Sequence, residues 1–414
     1  MADPSASMTL TIPAPIQVTA LPNRRTLATG REPRPETAIR PSFDGQDPAA
    51  LLEQIPRHET ILPQVDAFTL PGGYIWFGDG VDGIALTADG QLALETATFA
   101  RGYQPLPPEA LRARAREIDE DWITIVDCGC HNYYHLLMLA MPRLTYAKAH
   151  LPGAWAAVPA HRPSPDGRLP LLDQLIALSG EGHRIRRVED GLYRLRNLHV
   201  IWTNFINPPA LHLVDETFAC FDILARNVPP APDRRFPKRI FIERVGDMRL
   251  SDPNARRSLD RYLATHGFGK VRLETLDIGD QIRLFAGASH VVAAHGAGLS
   301  NIVFGSPQLR VLELNLDLDG RGTLRPWFLL LAAARGQHYQ YLNASACELA
   351  DLPMGLAFDR LMGTRRQALR LRLARLRGRL DRHLARAAIL ARRLRSGRAL
   401  LGSRFPGRTP PPQS

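Results

Sequence analysis

The stretch "SHVVAAHGAGLSNIVF", Ser289 to Phe304, holds an apolar run, a glycine turn and the start of a second apolar pattern. Val291 to Ala294 reads as a buried strand. It stops at His295. Gly296, Ala297 and Gly298 follow, and a helical apolar pattern resumes at Leu299. A strand that turns through glycine directly into a helix is a joint of an α/β sheet. Reading outward from that joint, "RIFIER" from Arg239 is strand-like, and "DPNARRSLDRYLATHGF" is helical with an Asp-Pro start and a Gly stop. "VRLETL" reads as a strand, "GDQIRLFAGA" as a helix, "RVLELN" as a strand, "PWFLLLAAAR" as a helix and "HYQYLNA" as a strand. This alternation over about 110 residues argues a parallel sheet covered by helices on both faces. Ligands of such sheets bind beyond the C-terminal ends of the strands.

Ahead of this region, "VPPAPDRRFPK" (Val228 to Lys238) has four prolines and is the clearest linker. The half before it mixes strands and helices. "YIWFG" and "GIALTADGQLALE" are strand-like with a turn at Asp89-Gly90, and "DWITIVDCG" (Asp121 to Gly129) is a short buried strand. "NYYHLLMLAMPRLTYAKAH" follows as a helix, then "LYRLRNLHVIWTN" as a strand and "LVDETFACFDILARN" as a helix. Residues 1–45 lack periodicity and are expected to be disordered, with globular structure evident from about Thr69. The expected organisation is a disordered segment 1–45, an α/β domain 46–228, a second α/β domain 229–363 and a basic helical tail 364–414.

The formal net charge of +11 is unevenly placed. Between Arg365 and Arg398 there are thirteen arginines and one acid, so that segment carries +12 and the rest of the chain is near neutral. Leu369, Leu373, Leu376, Leu380 and Leu384 recur there at helical spacing. A basic amphipathic helix suits an anionic membrane surface or a partner, with a solvated tail as the plain alternative. Nucleic acid is disfavoured, because the tail has no interleaved aromatics and no base-reading module is visible. No apolar run reaches membrane-spanning length, and the N-terminus has no secretory pattern, so a cytoplasmic protein, peripheral to the membrane at most, is expected. The four cysteines are too few for a disulfide scaffold. Cys128, Cys130, His131 and His135 offer four zinc ligands on paper, but Cys-x-Cys strains a tetrahedral site and Asn132 stands where a zinc protease needs Glu. No metal site is expected.

A helix N-terminus presents free N–H groups and partial positive charge, and glycine lets an anion approach the backbone. His295 beside it can donate to a phosphate oxygen. The joint therefore suits a diphosphate, or else it is a tight turn with glycines for close packing. Arg244 ends its strand, with Arg249 five residues on, and a guanidinium fork matches phosphate; both also suit an ordinary surface. Glu313 lies in a buried strand between Leu312 and Leu314, placed either for ribose hydroxyls or for a salt bridge at the strand end.

"LDIGDQIRLFAGASHVVAAHGAGLSNIVFGSPQLRVLELN" resembles the C-terminal signature of glycosyltransferase family 61. "RIFIERVGDMR" is similar to the family's arginine strand, and "NYYHLLMLAMPRL" to its aromatic-histidine helix. The resemblance spans Asn132 to Glu313. It departs from the family at "MRLSDPNARR" and at Leu136, where many members carry Trp. It implies two Rossmann-like domains of the GT-B type. It also implies inverting transfer of a sugar from a nucleotide donor, usually UDP-linked, to a glycan or lipid-linked acceptor of the bacterial capsule or surface polysaccharide type. By position, the donor site falls on Arg244, Arg249, His295, Gly296, Ala297, Gly298, Asn301 and Glu313, and the acceptor-side helix on His135 and Arg143. Inverting transfer needs a base for the acceptor hydroxyl and help for the departing diphosphate. His135 is the first candidate for the base and Asp247 the second. Helix dipole, His295 and arginines can serve the leaving group without a metal cofactor. The alternative is a non-catalytic protein that binds nucleotide sugar or glycan and is tethered by its tail.

Overall fold

The structure, a computed structural model, describes residues 25–29, 64–78, 82–93, 96, 108–126, 132–160, 170–180, 184–203, 215–231, 233–244, 253–315, 327–343 and 351–363. Asp247, Arg249, Cys128, Cys130, His131 and the basic segment 365–398 lie outside them. The chain divides into two units, Met1–Pro353 and Met354–Ser414. Both sheets belong to the first.

The second sheet is the simpler of the two. Its strands are β9 (Arg239–Ile242), β10 (Gly269–Val271), β11 (His290–Ala294), β12 (Arg310–Asn315) and β13 (His338–Asn343), all parallel, in the order β10-β9-β11-β12-β13. The apolar runs of β11 and β12 are what a parallel sheet buried on both faces requires. The crossovers are α5 (Pro253–Thr265), α6 (Ile278–Gly287), a 3₁₀ helix (Ala297–Phe304) and α7 (Trp327–Ala334). The strand order reverses between β9 and β11, which opens a crevice at their C-terminal ends.

Two local expectations change here. "VRLETL" is a strand only up to Val271, and Leu273–Thr275 is a 3₁₀ turn. The side chain of Gln281 explains this: its Nε2 donates to Leu273 O (3.0 Å) and Leu276 O (3.3 Å), so those carbonyls are satisfied without a neighbouring strand. The segment after His295 is a 3₁₀ helix rather than an α-helix, and it is the whole crossover between β11 and β12.

The first sheet is mixed. Its main path is β1 (Arg25–Thr29), β2 (Gln64–Pro71), β8 (Gly191–Thr203), β5 (Arg116–Thr124), β6 (Trp155–Pro159) and β7 (Ile185–Val188). The hairpin β3 (Tyr74–Phe77) and β4 (Ile84–Leu86) pairs with β8 through β3. β8, β5, β6 and β7 run parallel, whereas β1, β2 and β3 join by antiparallel pairing. β1 falls within the segment read as disordered; its pairing with β2 supplies the order that its composition does not. β5 begins at Arg116, five residues before the apolar signal, because its first half is exposed.

Helices α1 (Pro108–Arg114), α3 (Leu171–Leu178) and α4 (Asp215–Arg226) belong to this half, with α2 (residues 133–150) between α1 and α3. The helix α2 has three parts: Tyr133–His135, a π-helical turn Leu136–Ala140, and Met141–His150. Asn132 caps it, accepting from Tyr134 N at 2.9 Å. One hydrophobic core runs through both sheets, from Phe68 and Ile123 to Val291 and Tyr339. Edge-to-face contacts of Phe221 with Phe304 and of Tyr134 with Phe328 join the two halves. The last described helix, α8, is Asp351–Met362.

Gly83 secures the end of β5, which leads toward α2. Its φ is +78°, and a Cβ there would collide with the backbone oxygen of Val126. Gly83→Ala is therefore expected to destabilise the protein by about 3 kcal/mol, from left-handed strain plus overpacking. A lower urea midpoint checks this; an unchanged midpoint would show that the hairpin can move aside.

Candidate functional site

β11 delivers His295 to the crevice. The backbone N–H of His295 continues the ladder by donating to Leu314 O at 3.0 Å. Register places Ala293 beside Glu313 on β12, and this small residue leaves room for a carboxylate on the strand face that also bears His295. His295 Nδ1 lies 2.5 Å from Glu313 Oε1, and Tyr339 Oη on β13 donates to Glu313 Oε2 at 2.6 Å. Glu313 and Tyr339 are fully buried, and His295 is only 7% exposed. Burial, and then the charge of Glu313, push the Tyr339 phenol far above its usual range, so it stays protonated and donates.

Two aromatic rings of α7 flank the imidazole. Phe328 lies 5.2 Å and Trp327 5.8 Å from it, between ring centroids. The same two rings contact Tyr134 at the start of α2, at 6.2 and 5.6 Å. His135 follows Tyr134, half-buried, at the entry to the π-helical turn. Such turns change the phase of a helix and recur at functional sites. The aromatic group thus brings the N-terminus of α2 and His295 into one neighbourhood.

The glycine turn has a packing role as well as an open backbone. A Cβ on Gly298 would lie 2.9 Å from Leu273 Cδ1 and 3.6 Å from Ile242 Cγ2. The N–H groups of Ala297 and Gly298 begin the 3₁₀ helix, where no intrahelical acceptor exists for them. Arg244 is exposed and stands two residues beyond Ile242, which pairs with Ala293 two residues before His295. It therefore sits on the strand neighbouring His295 at the same end of the sheet. Beside it, Glu243 accepts from Arg256 (2.9 Å) and Arg272 (3.1 Å). Burial works against the charge of Glu243, but these hydrogen bonds, Arg272 first, hold its carboxyl below the usual range.

Asn301 and Arg143 are held by other parts of the protein. Asn301 is fully buried; its Oδ1 accepts from Tyr133 Oη (2.7 Å), and its Nδ2 donates to Gln281 Oε1 (3.1 Å) and Gly298 O (3.2 Å). It ties α2 to the crossover. Arg143 is 8% exposed and donates to Ile125 O (3.4 Å) at the end of β5. Glu313, read from the sequence as a partner for ribose, has each oxygen engaged by a protein side chain. Sequence reasoning missed Tyr339, Tyr133, Trp327 and Phe328. The alternation of "HYQYLN" could have marked Tyr339 as facing the sheet side of Glu313, but only with β13 known to lie beside β12.

Among the described residues, no group of three or more His, Cys, Asp or Glu is placed to hold a metal ion. No helix among them is long and apolar enough to cross a membrane. The family model described as Glycosyltransferase 61 matches residues 133–312. That span begins at the first residue of α2 and ends one residue before Glu313. A comparison with curated proteins finds no match.

Proposed function

Since residues 133–312 are a glycosyltransferase family 61 domain and the chain is a glycosyltransferase, we propose that it moves a sugar, with inversion, from a UDP-linked donor to a glycan or lipid-linked acceptor of surface polysaccharide synthesis. The observation that carries this reading is that His295, the Gly296–Gly298 turn and Arg244 all follow the C-terminal ends of the neighbouring strands β9 and β11, where the strand order reverses. The diphosphate would lie against the N–H groups of Ala297 and Gly298, with Arg244 pairing a phosphate oxygen. Trp327, half-buried beside His295, offers a face for a base or sugar ring. His295 would contact the leaving diphosphate, and His135, entering from α2, would take the proton of the acceptor hydroxyl. Asp247 and Arg249 keep their proposed roles as second base and phosphate ligand. Arg143 would act indirectly on the acceptor side, by holding α2 to the end of β5.

The finer fold assignment, two Rossmann-like domains of the GT-B type, rests on the strand order of the second sheet and the parallel half of the first. The antiparallel strands β1 to β4 are additions to that plan. The basic segment 365–398 would hold the enzyme at an anionic membrane surface.

Calorimetric titration of UDP, GDP and CDP, with and without EDTA, tests the donor site. UDP is expected to bind selectively, with affinity unchanged by EDTA. Absence of binding by all three would return the glycine turn to a packing role, and loss of UDP binding in EDTA would overturn the metal-independent mechanism.

A further inference from the structure

We propose that Tyr339 and Glu313 are positioning residues that decide which ring nitrogen of His295 meets the substrate; the functional half of this inference rests on the donor-site reading above. Each oxygen of Glu313 meets a protein side chain: Oε1 lies 2.5 Å from His295 Nδ1, and Oε2 accepts from Tyr339 Oη at 2.6 Å. A carboxylate only accepts, so the proton between Glu313 and the ring belongs to Nδ1. The neutral ring then carries its lone pair on Nε2, and the protonated ring carries a second N–H there. In either state, contact with a ligand passes through Nε2.

Tyr339 fixes this choice at one remove. With its hydroxyl in place, Glu313 Oε2 is satisfied and the carboxylate cannot turn without losing a buried hydrogen bond. Without it, Oε2 becomes a buried acceptor lacking its donor, and the carboxylate can rotate away from the ring. Phe328 and Trp327 flank the imidazole at 5.2 and 5.8 Å and oppose a ring flip. Tyr339 lies well beyond residue 312, where the family match ends. The arrangement is therefore read from this chain's own strand pairing: β12 lies between β11 and β13, with Glu313 between a histidine and a tyrosine on one face.

The test uses the full chain labelled with ¹⁵N-histidine, with the His295 signals assigned by their loss in His295→Gln. In water the Nε2–H form of imidazole is the favoured tautomer, so a proton held on Nδ1 is a distinctive signature. Wild-type protein is expected to show it. Tyr339→Phe, which removes a single oxygen, is expected to lower the Nδ1–H fraction and cut kcat about tenfold, with donor KM changed less than about threefold. Glu313→Gln is expected to favour the Nε2–H form and cut kcat by about 10²-fold or more.

A wild-type His295 protonated on Nε2 alone overturns the proposal. So does a Tyr339→Phe protein with either its spectrum or its kcat unchanged. Should Glu313→Gln fail to fold, Tyr339→Phe decides the matter. Inactivity of the wild-type protein with every nucleotide sugar would sink the proposed function, and the spectrum would still decide the tautomer.

Discussion

Replacing His295 with alanine is expected to cut turnover by about 10²–10³-fold, the usual effect of removing one fixed group that meets developing charge. Stability should fall as well, by about 3–5 kcal/mol, because Glu313 loses a partner while remaining fully buried. The two effects separate with a second substitution. The amide N–H of His295→Gln can still donate to Glu313, so most of the stability should return while turnover stays low. Urea unfolding and initial rates on one UDP-sugar measure the pair of effects. Full activity in His295→Ala would remove the residue from the reaction. Unchanged stability would mean that Glu313 finds another donor inside the core.

Asn301→Leu is expected to destabilise the protein by about 3 kcal/mol or more, although it keeps the branched heavy-atom skeleton of the side chain. The loss leaves the hydroxyl of Tyr133 and Oε1 of Gln281 buried without their partner, and each such orphan costs about 1–3 kcal/mol. Burial pushes the Tyr133 phenol well above its usual range, so it cannot escape the penalty by ionising. Tyr133→Phe, which leaves only Asn301 Oδ1 wanting a donor, should cost less than Asn301→Leu. Equal costs would show that the link to α2 carries all of the effect and the contact with Gln281 none. The same link predicts reduced turnover in Asn301→Leu at temperatures where the protein remains folded, because Asn301 holds the start of α2, with His135, to the crossover that follows His295.

The glycine joint after β11 was legible because its signals are local. An apolar run that ends at a histidine and two glycines marks a strand end wherever the strand lies. Glu313 was also visible as a carboxylate inside an apolar strand, and its hydrogen-bonding need was evident. What it bonds to was not. Ribose hydroxyls were a reasonable expectation for an acceptor near the crevice, yet both oxygens meet side chains from the flanking strands. Asn301 illustrates the same limit: a polar residue after a glycine turn looks available to a ligand, and here a tyrosine 168 positions earlier in the chain claims it.

The order of strands and helices in the second half, the position of the glycine joint and the charge of the tail follow from the sequence by itself. Periodicity, glycine spacing and composition are properties of consecutive residues. Strand order and register are not. Only the tertiary structure placed β10 outside β9 and set β12 between β11 and β13. Only that pairing put the small Ala293 beside Glu313 and brought Tyr339 within hydrogen-bonding distance of its carboxylate. The hydrogen bonds of a parallel sheet join segments separated by whole crossovers, so the identity of a residue's cross-strand neighbour is decided by long-range packing of helices and strands, and not by the residues beside it in the chain.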